Sequence, residues 1–468
     1  MVRNGTTIGT DTQTFTGPEL LAQDSGPTGV VTNYGYQSFT GPYGIPFFRL
    51  ASQSNGQSSV TYNYDETTPT PTSGLPQHEP VSTSRGNLTS VHQLVSGTTT
   101  IPTQTLTYDD AGEVLTAKDG DNNVTAYGHD ATDTFVATVT RPQTNGINHI
   151  SSAIYDINTG LMTSSTDENS QTTSYAYDDL ERPTTINYPD GGKTTYSYTP
   201  TSATQEVLES GTTTLNTTVD VGGMGRVIHV YYPNGSVVDT THDPDGRVAC
   251  VSNPHGSGSS PTDGNTCYTY DVLNRVLTVT NPDTSRKTAS YNGETETLTD
   301  ESGHQKQFVS DAMGRIVTAL EPNSSGVLSW ETDYTWNALN ELQTVTQKGD
   351  GSSGTRVRTF NYDDEGRLTS QVTPEQGTTT FGYDNNSNLT SKTDARGITV
   401  TYGYDALNRM ISKTASDGSM HYAYVYDVTA TGYGFTSSYP VGRLVEESNQ
   451  VNASSQYAYN TSQRYLKF

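Results

Sequence analysis

The residues that could do chemistry are few. Cys250 and Cys267 are the only cysteines in 468 residues. Each stands three residues from a repeated landmark, Arg247 and Tyr270, with a Gly/Ser/Pro-rich loop between them. Adjacent strands of a long hairpin would bring the two within disulfide reach; two separate thiols are the alternative. Two cysteines alone make no zinc site. The acidic stretches Asp119-Gly-Asp-Asn-Asn123 and Asp363-Asp-Glu365 suggest Ca²⁺ turns, but neither has the Asp-x-Asp-x-Asn-Gly spacing with a distal Glu. They read as Asx turns, in which the carboxylate binds its own backbone. The nine histidines are scattered, and no Ser/His/Asp order stands out among so many Ser and Asp. The sequence therefore points to no enzyme, no cofactor and no metal.

What must position these residues is a repeat. Tyr-Asp pairs open at Tyr362, Tyr383, Tyr404 and Tyr426, at spacings of 21, 21 and 22 residues. A short polar turn follows most pairs, then Gly or Asn, Arg or Asn, and an aliphatic residue. A fixed period of this size marks a repeat architecture. Within a period, Leu368–Thr373 reads as a strand, Pro374-Glu-Gln-Gly377 as a turn and Thr378–Tyr383 as the return strand. In the next unit Ile398, Val400, Tyr402 and Tyr404 share one face, the period-2 pattern of a half-buried strand. One period is thus one β-hairpin, and a lone hairpin is marginal in water, so units must pair with neighbours.

The rings at the period recur at Tyr108, His129, Tyr155, Tyr177, Tyr198, Tyr270, Tyr291 and Trp336. The turn exits recur at Gly225-Arg226, Gly246-Arg247, Arg275, Gly314-Arg315, Gly366-Arg367 and Arg409. Longer steps fall at Gly/Ser-rich insertions, which belong on the surface. Asp at the second repeat position is expected to cap its own turn. Tyr is expected to pack its ring on the neighbouring unit with its hydroxyl on a polar partner. Arg is expected to pair with an Asp or to stack on a Tyr of the adjacent hairpin.

Composition bounds the rest. Only 31% of residues are hydrophobic, and 31 are Tyr. That suits a thin β wall, wet on at least one face. The net charge of −25 disfavours nucleic acid as a partner. No apolar run of membrane-spanning length occurs, and the start lacks the apolar core of a signal peptide. The pattern of both chain ends reads as an excerpt of a longer protein. Residues 1–60 show no clear repeat and read as an irregular leader or cap, with Gly41–Phe48 as an aromatic plug; residues 61–468 read as the repeat wall. Fifteen hairpins give roughly thirty strands, a ribbon ~140 Å long that would be ~45 Å across if curled once. Open sheets of that size curl or split, so a spiralling hollow shell or superhelical ribbon is expected.

Tyr362-Asp-Asp-Glu-Gly-Arg-Leu368, Tyr404-Asp-Ala-Leu-Asn-Arg-Met410 and Tyr270-Asp-Val-Leu-Asn-Arg-Val276 resemble the YD repeat of the RHS family. The resemblance runs from about Tyr108 to Tyr426. It implies an all-β shell of tandem hairpins that encloses or presents a toxic effector, in a secreted or cell-surface bacterial protein. Asp243-Pro-Asp-Gly246 resembles the motif that ends such shells, but here it lies inside a repeat and reads as a turn. The implied partners are an enclosed effector domain or further copies of the chain. Rows of Tyr leave open an adhesive, glycan-binding surface, and open ribbon edges leave open an extracellular fibre.

Overall fold

The computed structural model describes residues 2 to 467 apart from short stretches, the longest being residues 73–84. Every described element is a strand or a turn, and no helix is long and apolar enough to cross a membrane. From Thr12–Thr16 onward nearly every strand pairs antiparallel with the next in the chain; Val248–Ser252 skips to Asn265–Tyr270 and His421–Tyr426 to Leu444–Asn449. This continues through Arg356–Tyr362, Leu368–Thr373 and Gly377–Tyr383 to Tyr465–Lys467. The result is one unclosed, all-β sheet of tandem hairpins.

The ladder starts earlier than the expected boundary at residue 61. Val31–Thr40, Pro46–Ser54 and Ser59–Tyr64 are paired strands of the same sheet. Phe39 stacks on Phe47 at 5.4 Å and meets Tyr64 edge-on at 5.6 Å. Phe39 and Phe47 therefore share the packed face of a hairpin. Val31–Thr40 and Pro46–Ser54 lack the Tyr-Asp-x-x-Gly-Arg signature, which is why periodicity alone missed them.

The wall is thin. The chain exposes 26572 Å², whereas a compact protein of 50.5 kDa would expose about 17000 Å². Among the described residues the buried apolar side chains are Phe39, Val237, Ala319, Ala415 and Val445. The half-buried face expected for Ile398–Tyr404 is not a core: both faces of that strand are partly covered. The sheet is one residue thick, and neighbouring rows of Thr, Ser and Tyr cover one another without filling an interior.

The ribbon curls because its two rims differ. At the rim carrying the Tyr-Asp turns, register slips by one residue beside most rings, as between Asn361/Tyr362, Gly382/Tyr383 and Gly403/Tyr404. The opposite-rim hairpins pair mostly without a slip. A bulge bends and twists its strand, so bulges repeated on one rim bend the ribbon in one sense. The hairpin at Asp119–Asn123 then meets the turn at Asp384–Asn388. About two dozen strands lie between them, an arc of ~115 Å, or ~35 Å across if circular. The coil is tighter than the single ~45 Å curl expected from strand number alone, because a second turn begins before the chain ends.

Candidate functional site: the repeat link and the seam between coil turns

The unit-to-unit link is built from one turn and the ring that follows it. In Asp363–Arg367 the Asp363 N–H donates to the Arg367 carbonyl at 3.0 Å. Asp363 Oδ1 accepts from the Glu365 and Arg367 N–H groups at 3.1 and 2.9 Å. The fourth turn residue takes positive φ: 77° at Gly366, 82° at Gly246, 80° at Gly314, 70° at Gly225 and 60° at Asn408. Gly and Asn tolerate that region best, which explains the Gly/Asn of the repeat. At Gly246 a Cβ would also meet the Arg226 guanidinium, the movable end of a long side chain, so the positive φ is what constrains the position.

The Arg does both things expected of it. Its Nε donates to Oδ2 of its own Asp at 2.6–2.8 Å, in Asp178–Arg182, Asp243–Arg247, Asp271–Arg275, Asp311–Arg315, Asp363–Arg367 and Asp405–Arg409. Its guanidinium also lies over the ring of the next unit. The distances are 4.8 Å for Arg247 on Tyr270, 3.8 Å for Arg275 on Tyr291, 5.1 Å for Arg367 on Tyr383 and 4.4 Å for Arg409 on Tyr426. Cation–π contacts of this kind contribute about 0.5–2 kcal/mol. The ring then reaches back to the carbonyl of the aliphatic residue after the earlier turn. Tyr270 donates to Val248 O, Tyr383 to Leu368 O and Tyr404 to Leu389 O, at 2.8, 3.0 and 2.9 Å. Tyr108, Tyr177 and Tyr362 do the same to Leu88, Met162 and Leu342. Trp336 does it through Nε1 to Ile316 O at 2.8 Å. Tyr155 instead stacks on Phe135 at 4.8 Å. Arg226 has no Asp in its turn, which starts at Gly222, and lies against Gly246.

Acid tests the link. The Arg182 side-chain hydrogen bond is the main reason the Asp178 carboxyl is held below the usual carboxylate range. At Asp243, Asp271 and Asp311 desolvation pulls the other way, but the Arg and backbone N–H bonds outweigh it and the carboxyls are again lowered. A depressed folded pKa gives stability that is present above the ordinary carboxylate value and lost as pH falls through the folded one. The melting midpoint is expected to be level from about pH 7 to 5 and to fall below about pH 4. A midpoint unchanged down to pH 2 would argue against the link as a source of stability.

The cysteines meet as expected. Val248–Ser252 pairs with Asn265–Tyr270, Cys250 stands directly opposite Cys267, and the two form a disulfide with Cα atoms 4.1 Å apart. Asp119–Asn123 is an Asx turn: Asp119 Oδ1 accepts from the Asp121 and Asn123 N–H groups at 3.1 and 2.8 Å.

What the repeat alone did not disclose is the seam. Opposite-rim turns of one coil turn dock against Tyr-Asp-rim turns of the next. Asn386 Nδ2 donates to Asp119 Oδ2 at 2.7 Å and Asn385 Nδ2 to the Gly120 carbonyl at 3.3 Å. Gly120 must stay small, because a Cβ would strike the Asn385 carbonyl. Asn169 exchanges two 2.9 Å bonds with the Val441 backbone. Between these lies a buried cluster. Asp427, fully buried, accepts from Arg409 Nη1 at 2.9 Å and Nη2 at 2.5 Å, from Thr144 Oγ1 at 2.6 Å and from the Gly442 N–H at 2.8 Å. Thr144 gives its only proton to Asp427, so His149 Nε2 donates to Thr144, at 2.7 Å. His149 Nδ1 lies 2.7 Å from Glu168, which Arg141 also contacts at 3.1 Å. Burial alone would raise the Asp427 carboxyl; the Arg409, Thr144 and Gly442 bonds outweigh it and hold it low. Two of the cluster's residues carry a sequence signal. Arg409 is a repeat Arg, and Asp427 follows the ring Tyr426. Its turn closes only at Gly442-Arg443-Leu444, where the Asp427 N–H reaches the Arg443 carbonyl. That is the repeat's own exit motif, displaced by an insertion.

Three stretches, residues 155–194, 362–398 and 383–420, match the RHS Repeat family. The chain thus carries RHS repeats in these stretches. Among solved structures, this RHS-repeat chain is similar to the Tc holotoxin pore of Photorhabdus luminescens, with 12% identity and a TM-score of 0.46 over 94% of this chain and 27% of that one. It is likewise similar to TcdB2-TccC3 without its hypervariable C-terminal region, with 12% identity and a TM-score of 0.41 over 95% of this chain and 24% of that one. The chain thus spans about a quarter of each of those proteins. No curated protein sequence matches it.

Proposed function

We propose that this RHS-repeat chain is a non-catalytic stretch of shell wall that encloses or presents an effector domain in a secreted or cell-surface toxin. The observation that carries this reading is the seam. Rim-to-rim docking of successive coil turns converts a ribbon into a continuous wall, and a wall without a core of its own leaves space on its concave side. Such a wall acts by exclusion, keeping protease and solvent from what it surrounds. The Cys250–Cys267 disulfide suits an oxidising compartment, and the acidic surface favours solubility. The test is limited trypsinolysis of the chain carrying a disordered, Lys-rich reporter joined after Phe468. The reporter is expected to be cut at least about tenfold more slowly than when free, the regime in which cleavage follows opening of the protecting structure. Equal rates would sink the proposal.

A further inference from the structure

At several links along the Tyr-Asp rim one cation sits among several acceptors. Arg247 Nη1 donates to Asn274 Oδ1 and Arg315 Nη1 to Asn340 Oδ1, both at 2.9 Å. The guanidinium thus sits between the first residue of its own turn, the ring of the next unit and the fourth residue of the next turn.

The junction after Tyr108 keeps the acceptors without an Arg, and is distinguished from the Arg-less turns at Glu341 and Asn388 by the His at its next ring position. In the unit opening at Tyr108-Asp109, the fifth turn residue is Glu113, where Arg247 and Arg315 stand in their units. The next ring position is His129. The fourth residue of the next turn is Asp133, at φ 55°, where Asn274 and Asn340 have 62° and 68°. His129 Nε2 lies 3.7 Å from Glu113 Oε2, and Nδ1 lies 3.8 Å from Asp133 Oδ1. One ligand atom from each of Asp109, His129 and Asp133 lies within 4.8 Å of the others. Asp109 is 1% exposed. Its Oδ1 accepts from the Ala111 and Glu113 N–H groups at 3.0 and 2.8 Å, but its Oδ2 has no partner among the described residues. Asp133 Oδ2 has none either. Among the described residues no Lys or Arg is ion-paired with any of the four. Carboxylates gathered out of water without a counter-charge are costly.

We propose that Asp109, His129 and Asp133, with Glu113 at the rim, form a binding site for a divalent transition-metal ion, zinc first, which takes the place of the missing guanidinium. An imidazole among carboxylates favours zinc over magnesium or calcium, which prefer oxygen alone. Two ligands on one tetrahedral zinc stand ~3.4 Å apart, so the 3.8 Å separation of His129 Nδ1 from Asp133 needs only a small rotation, while Glu113, 3.7 Å from the other ring nitrogen, would accept its proton and hold the ring. The ion would clamp the base of the hairpin Val114–Asp119/Val124–His129. That hairpin's far end is the turn at Gly120 that docks on Asn385, so metal binding and seam formation share one rigid element.

Calorimetric titration of the EDTA-stripped chain with zinc chloride tests this. One site is expected. Asp109→Asn is expected to weaken it at least roughly tenfold, while its turn stays capped, as Asn337 caps the equivalent turn through Oδ1 to the Leu339 and Glu341 N–H groups. The double variant Glu113→Arg/His129→Tyr rebuilds the ordinary link. It is expected to bind no zinc there and to melt at the same temperature with and without EDTA, whereas the parent melts lower in EDTA. Magnesium or calcium at the same concentration is expected to bind at least about tenfold more weakly. The proposal is overturned if the parent has no zinc site tighter than about 100 μM, the result expected if the carboxyls share a proton. It is overturned equally if Asp109→Asn and the double variant bind zinc as the parent does, which would place the ion on scattered histidines.

Discussion

Arg409→Ala is expected to open the seam and to lower the stability of the wall by about 3–5 kcal/mol, the usual effect of removing one partner from a buried ion pair. The size follows from what remains. Asp427 keeps its carboxylate, fully buried, and loses both guanidinium bonds. Thr144 loses its contact with Arg409 Nη2, and the ring of Tyr426 loses its cation. Arg396→Ala is the control. Its side chain is 76% exposed and its ion pair among the described residues is with Asp394 of its own turn, so its removal is expected to cost about 0–1 kcal/mol. Urea unfolding of both variants measures the difference. A double-mutant cycle with Asp427→Ala isolates the pair. Proteolysis should show new cuts in Thr144–Glu168 or Asp427–Gly442 of Arg409→Ala alone. If the two Arg variants unfold alike, the seam does not hold the coil turns together.

The second large effect is expected at the disulfide. Cys250→Ser with Cys267→Ser, or reduction of the parent, is expected to cost about 3 kcal/mol for a closed loop of this length in the chain-entropy model; the bridged residues are 17 apart. The bridge lies where the ladder is irregular. Ser236–His242 divides its pairing between Val248–Ser252 and the short His255–Gly256 segment, and Val248–Ser252 goes on to Asn265–Tyr270. In an array whose units touch mainly their neighbours, stability is approximately a sum of unit and interface contributions. The loss should therefore appear as faster hydrogen exchange in residues 236–280, with strands such as Gly377–Tyr383 unchanged. Uniform acceleration along the chain would mean that the wall unfolds as one body. No change at all would mean that the bridge only reports proximity.

The hairpin unit, the disulfide partner and the three roles of Tyr, Asp and Arg were legible in the sequence because each is local. Asp and Arg are four residues apart within one turn. Ring and carbonyl are about 15–22 residues apart in adjacent strands. The Gly or Asn of the turn answers to one backbone angle. Even the choice left open for Arg, between carboxylate and ring, dissolves in the structure, because a flat guanidinium can bond along its edge and stack on its face at once. Tandem repetition of such units in a chain with few apolar residues already implied a curled sheet without a thick core.

The seam was decided only by the tertiary structure. Thr144 and Asp427 meet across 283 residues and Asp119 and Asn386 across 267. Which turn meets which depends on the bend and twist added up over some two dozen strands, and a small change per strand would move the contact by a whole unit. No short pattern encodes such a sum. The same holds for His129 beside Asp109, Glu113 and Asp133: each residue reads as an ordinary departure from the repeat, and only their convergence at one junction shows a cation missing. The start of the ladder before residue 61 was hidden for a simpler reason, since a strand needs alternation and a paired neighbour but not the turn signature that made the later units visible.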